Sequence, residues 1–160
     1  MHLGHYTQDD IWFDRNGHLN VTGYLQCFNL AVEKMFDKIG LGTGYMENEQ
    51  RSFFAAQQQL TYLNEVHKGE TLSVSFQLLG FDNKRLHKFY RLYNDTTGKE
   101  AATLEALALH IDMSARKTTD MSEACLDRFA RIMDSHAAIP RHPATGRTFG
   151  LERPKKGDVA

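Results

Sequence analysis

Asp14, Asn16, Gly17, His18 and Asn20 bring a carboxylate, two amides and an imidazole into one short turn. An apolar-striped stretch begins at once behind them. Groups of these types beside a helix start would share the field of its unpaired backbone N–H groups, where negative charge is stabilised. The chemistry this suits is attack on a carbonyl, with the resulting oxyanion held by those amides. Asp14-Arg15-Asn16-Gly17 is equally a good turn sequence, since Asp and Asn bond their own backbone and Gly takes positive φ. His18, in the same reading, is an exposed neighbour of a helix cap.

The elements that must position this turn are legible on either side. Tyr24, Cys27, Phe28, Ala31, Met35 and Ile39 follow helical spacing, and Leu25, Val32 and Phe36 widen the stripe. Asn20 or Thr22 caps the start and Gly40 supplies the stop. So wide a stripe requires a helix wrapped on several sides. Tyr6 to Trp12 reads as a short strand, Gly40 to Gly44 as a flexible turn, and Tyr45 to Arg51 as a polar lid or crossing segment. Ser52 to Val66 reads as one long strand with room for a bulge. Thr71 to Leu78 alternates, with Leu72, Val74, Phe76 and Leu78 inward. A turn at Asp82 to Lys84 leads into Arg85 to Tyr93, and a turn at Asn94 to Gly98 into Lys99 to Met113.

From Leu104 onward that last strand is apolar on both faces, which places it at a sheet centre or against a partner. Ser122 to Ala138 is a second helix, with Leu126, Phe129, Ala130 and Met133 as its stripe. One helix followed by a meander of long strands is an α+β pattern. Ile139 to Ala160 holds all three prolines. It reads as a loosely attached tail, with a fold of His142 to Leu151 over the site as the alternative.

At 160 residues the chain fits one domain. Its 19 basic and 20 acidic residues leave no electrostatic footprint for nucleic acid or a membrane surface. The 8 histidines show no ligand spacing such as His-Glu-x-x-His, so no metal is expected. Cys27 and Cys125 make no disulfide framework, and Cys27 falls on the helix stripe as a buried thiol. With no signal segment and no apolar run of about 18 residues, a soluble cytoplasmic protein is expected.

Asp14, Asn16, His18 and Asn20, with Gly17 and Tyr24, resemble the D-x-N-x-H-x-N and D-x-x-G…Y signatures of hotdog-fold acyl-thioester hydrolases. That group includes the 4-hydroxybenzoyl-CoA and acyl-carrier-protein thioesterases. Leu60 to Val66 with Gly69, Gln77 to His87, and Ala102 to Asp112 resemble most the betainyl-CoA thioesterases of carnitine breakdown. The resemblance implies a hotdog fold, with about five antiparallel strands around one long central helix, plus a C-terminal helix. The domain would span residues 1–151, with 152–160 a flexible tail.

The resemblance further implies Asp14 as nucleophile or general base, with Asn16 and His18 taking part. The backbone around Gly17, Val21, Thr22 and Gly23 would polarise the thioester oxygen. The assembly would be a homodimer or homotetramer with sites at the subunit interface. The chain departs from the pattern at Gln57 and Gln59, where relatives carry a Glu and a His. A non-catalytic acyl-CoA-binding protein is the alternative this departure supports.

Thioester hydrolysis needs little leaving-group help, because a thiol of pKa about 8.5 departs readily. A carboxylate and backbone dipoles suffice, with no metal, no cofactor and no Ser-His-Asp triad. Coenzyme A enters as part of the substrate. Trp12 first, then Tyr24, Phe54 and Tyr62, could cage the quaternary ammonium of a betainyl group by cation–π attraction, with Asn20 and Gln57 beside them. Lys84, Arg85 and His87 lie in the densest basic cluster and could meet coenzyme A phosphates.

Overall fold

A computed structural model describes residues 1–6 and 12–147; residues 7–11 and 148–160 lie outside the described residues. The elements run β1 (His2–Tyr6), α1 (Val21–Lys38), α2 (Thr43–Glu49), β2 (Arg51–Tyr62), β3 (Leu72–Phe81), β4 (Arg85–Asn94), β5 (Lys99–Asp112), β6 (Lys117–Thr118) and α3 (Glu123–His136). The antiparallel sheet is ordered β1-β3-β4-β5-β2, with the two-residue β6 paired to β5.

The wide stripe of α1 is satisfied by a curled sheet. Tyr24, Cys27, Phe28, Ala31, Met35 and Phe36 are buried and share one core with Leu72, Val74, Phe76, Leu78, Leu86, Tyr90, Leu92 and Leu104. Each large apolar side chain enclosed this way contributes about 1.5–3 kcal/mol. Asn20 is the cap, its Oδ1 accepting the Gly23 N–H at 2.9 Å. At the other end Gly40 and Leu41 donate to Asp37 and Phe36 carbonyls, the pairing that closes a helix on a glycine. Cys27 is fully buried, and burial pushes its thiol up to about 12.

Three boundaries differ from the sequence reading. Thr43–Glu49 is a short helix, tied to the sheet where Tyr45 Oη meets His110 Nε2 at 2.8 Å. β2 ends at Tyr62, because Leu63 and Asn64 both turn their N–H groups onto the Ala101 carbonyl and the chain leaves the ladder. In α3 the buried residues are Cys125, Phe129 and His136, while Ala130 faces out. The bulge in β2 falls between Ala55 and Gln57. The doubly apolar β5 lies between β4 and β2, well inside the sheet.

The segment after α3 crosses the outer face of the sheet. His142 stacks on Phe89 at 5.1 Å and meets Glu100 at 3.1 Å, and the Gly146 N–H donates to Glu105 at 2.7 Å. Ala144 packs with Leu79 and Phe89. Residues 139–147 therefore belong to the packed domain. The expected tail over 152–160, and most of the expected strand from Tyr6 to Trp12, lie outside the described residues.

Candidate active site

The Asp14 turn is built as a small closed hairpin. Phe13 pairs with Leu19, Asp14 N–H donates to the His18 carbonyl at 2.9 Å, and Asn20 N–H donates to Trp12 at 2.6 Å. Inside it, Asp14 Oδ1 accepts the N–H groups of Asn16 (2.8 Å) and His18 (3.0 Å). Those bonds, the one from His18 foremost, hold the exposed carboxyl below the usual carboxylate range. Turn chemistry and a charged, exposed carboxylate are thus one arrangement: the bonds that fold the loop also keep Asp14 ionised.

Asp14 lies on an open cleft of about 350 Å³, lined also by His18, Leu19, Val21, Tyr24, Tyr62, Leu63, Asn64 and Glu65. The hairpin is moored to this second segment by Leu19 N–H on the Val66 carbonyl at 2.8 Å. The rings of Tyr24 and Tyr62 meet edge to face at 5.2 Å, and the Tyr24 hydroxyl donates to the Asn64 carbonyl at 2.9 Å. Burial, with the Glu65 carboxylate next, pushes the Tyr24 phenol up, so it stays a neutral donor.

The expected backbone donors divide sharply. Gly23 N–H is committed to the Asn20 cap and Gly17 N–H to the Asp14 carbonyl. Val21 and Thr22 N–H groups have no acceptor among the described residues, and Val21, the first residue of the helix, lines the cleft. Gly23 has a packing role instead: a Cβ there would stand 2.5 Å from Leu19 Cδ1 and 2.8 Å from Trp12 Cβ.

Several expected residues lie elsewhere. Trp12 is core, 9% exposed and packed under Gly23, so its ring does not line the cleft. Phe54 is exposed on the outer side of β2, opposite Leu109. Gln57 and Gln59 line a different pocket, with His87, Glu105 and Arg147. Strand alternation and the β2 bulge turn them away from Asp14.

The basic cluster is divided the same way. Lys84 pairs with Asp120 at 3.5 Å, Arg85 with Asp82 at 2.6 Å and His87 with Glu105 at 2.6 Å, while Lys88 points inward and is buried. Arg85 stands opposite Leu109, whereas the cleft abuts Ala101. At about 3.3 Å per residue that is roughly 25 Å along β5.

Glu65, His67 and Asn64 were not singled out by the sequence. His67 pairs with His18 in an isolated bridge, and their rings meet at 4.7 Å. Histidines so far apart in the chain carry no spacing signal; only the docking of the two segments joins them.

Comparison with known proteins identifies the family and the fold. A model of the thioesterase-like superfamily matches residues 11–129. A betainyl-CoA thioesterase from Pseudomonas aeruginosa is 33% identical over 140 residues, 88% of each chain. A putative thioesterase from Pseudomonas putida has a solved structure 28% identical in sequence, with a TM-score of 0.82 over 96% of this chain and 97% of that one. A hypothetical protein from Staphylococcus aureus, solved in complex with CoA, is 23% identical with a TM-score of 0.87 over 95% and 96% of the two chains. The curled sheet around one long helix is the hotdog fold expected from the sequence.

Proposed function

The chain belongs to the thioesterase-like superfamily and is an acyl-CoA thioesterase, and from that premise we propose that it hydrolyses betainyl-CoA, or a similarly small acyl-CoA, in the Asp14 cleft. The observation that carries this is one juxtaposition. An ionised carboxylate lines the same cleft as Val21 at a helix start, the paired rings of Tyr24 and Tyr62, and a second carboxylate, Glu65.

In this reading the thioester oxygen faces the N–H groups of Val21 and Thr22, which stabilise the developing oxyanion. Asp14 attacks the carbonyl carbon and the C–S bond breaks, releasing the coenzyme A thiolate. Water then opens the mixed anhydride, returning Asp14 and the free acid. A carboxylate held below its usual range is a weak proton acceptor, which favours direct attack over deprotonation of water. In a single turnover in heavy-oxygen water, unlabelled product with label left on Asp14 would establish the anhydride route, with water opening the anhydride at the Asp14 carbonyl. The rings of Tyr24 and Tyr62, with Glu65, suit a cationic acyl head.

The edge of the sheet supports a homo-oligomeric assembly. β2 is twelve residues long and hydrogen-bonded on one side only among the described residues, with Phe54 and Tyr62 exposed. Such an edge is a template for a second strand, and a second copy is the proposed partner. Light scattering should give twice the 18.3 kDa chain mass or a multiple of it.

The test is release of free thiol from betainyl-CoA, short straight-chain and aromatic acyl-CoAs. Turnover greatest on betainyl-CoA is expected. Tight binding of an acyl-CoA without turnover would favour the non-catalytic reading that Gln57 and Gln59 support.

A further inference from the structure

We propose that His18, Glu65 and His67 form a binding site for a divalent transition-metal ion of the zinc class, and that its occupation inhibits the cleft. The site goes beyond the thioester chemistry, and its metal-binding half stands without it.

The geometry arises from backbone pairing. Glu65 and His67 flank Val66, which is fully buried while both neighbours are exposed, so the two share the outward side of one extended segment. His18 lies directly across from His67 in an antiparallel bridge, where facing Cβ atoms stand about 4.5–5.5 Å apart. Three side chains thus converge from two segments already fastened at Leu19 N–H to the Val66 carbonyl, the second of them braced locally by His67 N–H on Glu70 Oε2 (2.6 Å). Folding, and not the metal, holds the ligand-bearing backbone in place.

The donor atoms are close. One ligand atom from each residue lies within 4.8 Å of the others, and His18 Nε2 stands 3.8 Å from Glu65 Oε2. A tetrahedral ion with bonds of about 2.0–2.2 Å needs donors about 3.3 Å apart. Rotation of exposed side chains by an ångström or so closes that difference. Two imidazoles and one carboxylate are a donor set that suits zinc, nickel or cobalt over magnesium or calcium, which prefer oxygen alone.

The consequence for the cleft is electrostatic and steric. His18 and Glu65 both line it beside Asp14. A doubly charged cation there lowers the reactivity of the Asp14 carboxylate. It also removes Glu65 as a counter-charge and crowds the approach of a cationic acyl group.

His67 lines neither the cleft nor the pocket of Gln57 and Gln59, so His67→Ala removes a metal ligand without removing a cleft-lining residue. Cobalt(II) added to the purified protein, followed by its visible absorption, and zinc titration by calorimetry both read binding without turnover. Wild type should bind zinc at micromolar concentration. His67→Ala should bind on the order of 10–100-fold more weakly, no less than losing an outer-shell partner costs. Thiol release should be inhibited by zinc in wild type, restored by a chelator, and far less sensitive in His67→Ala. Absence of micromolar binding, binding unchanged in His67→Ala, or zinc inhibition equal in both proteins would each overturn the proposal. If no acyl-CoA turns over at all, the thioesterase reading falls, while calorimetry still decides the metal site.

Discussion

The Asp14 side chain is bonded to the backbone of His18, Oδ1 accepting that N–H at 3.0 Å and so closing its own turn from within. The carboxylate therefore has two separable duties, one as an acceptor and one as a charge.

Asp14→Asn keeps an acceptor oxygen at the same place and removes only the charge. Thiol release should fall by about 10²–10⁴-fold, with only a small fall in the thermal midpoint from the lost charge on the turn's hydrogen bonds. Asp14→Ala removes both duties, so it should lose activity to the same degree and also melt earlier. Equal activity in wild type and Asp14→Asn would remove Asp14 from the mechanism.

Two buried histidines set the acid limit. His110 donates Nδ1–H to the Thr119 carbonyl at 3.0 Å, while its Nε2 accepts the Tyr45 hydroxyl at 2.8 Å. His136 Nδ1 accepts the Leu78 N–H at 3.0 Å. Burial holds both below their ordinary 6.5. The unfolded chain takes up these protons first, so the stability they contribute is complete above pH 6.5 and is lost as pH falls through their folded values. Asp14, shifted down from 3.8, is still ionised where the unfolded histidines begin to charge. Activity should therefore follow the loss of fold on the acid side, a coincidence that rate and circular dichroism measured across pH 4–7 would check. Tyr45→Phe removes one of these partners and should cost about 1 kcal/mol.

The legible part of this molecule was its periodicity. The α1 stripe and the alternation of β3 encode which faces are covered, and the fold covers them as read, whereas the second apolar face of β5 stays half-buried at Leu107 and Leu109. What periodicity cannot encode is which segments meet. Gln57 sits near Tyr62 in the chain yet faces another pocket, because alternation and one bulge decide its side. The basic run from Lys84 to Arg91 looked continuous, but a strand sends Lys88 inward and its neighbours out. Trp12 adjoins Asp14 in sequence and turns into the core, because Gly23 leaves it room. Thr43–Glu49 carries little helical stripe and is held by Tyr45 on His110.

Gly23 gives a direct test of that packing. A methyl at position 23 would meet Leu19 and Trp12 well inside contact distance, and the Trp12 Cβ at 2.8 Å sits next to its own backbone, where a rotamer change cannot relieve the clash. Gly23→Ala should destabilise by about 1–3 kcal/mol, despite the higher helix propensity of alanine. A denaturation midpoint equal to or above that of wild type would mean Trp12 yields freely.

Tyr62 tests the cationic head. Replacing it with Leu keeps an apolar wall but removes the ring facing Tyr24. The KM for betainyl-CoA should rise by about 2–30-fold, the equivalent of 0.5–2 kcal/mol of cation–π attraction. The KM for tert-butylacetyl-CoA, a neutral isostere, should barely move. Equal shifts for both would assign Tyr62 to shape alone.

Lys88 is the one inward-facing amine of β4, 4% exposed and without an acidic partner among the described residues. Its Nζ lies 4.9 Å from the centre of the Phe36 ring and 5.8 Å from that of Tyr90, whose own hydroxyl is buried and has no hydrogen bond among the described residues. The rings return part of the lost hydration, but burial still pushes the amine from 10.5 down to about 8. A folded-state value below the unfolded one means the unfolded chain binds the extra proton between those limits. Stability attributable to this group should then rise as pH climbs from 8 towards 10.5, opposite to the loss expected if Lys88 formed a salt bridge. At neutral pH the deficit is up to about 3 kcal/mol, so Lys88→Met, which fills a similar volume with apolar atoms, should raise the denaturation midpoint. The gain should shrink as pH approaches 10.5. A destabilised Lys88→Met protein, at every pH, would show that the rings compensate the amine fully.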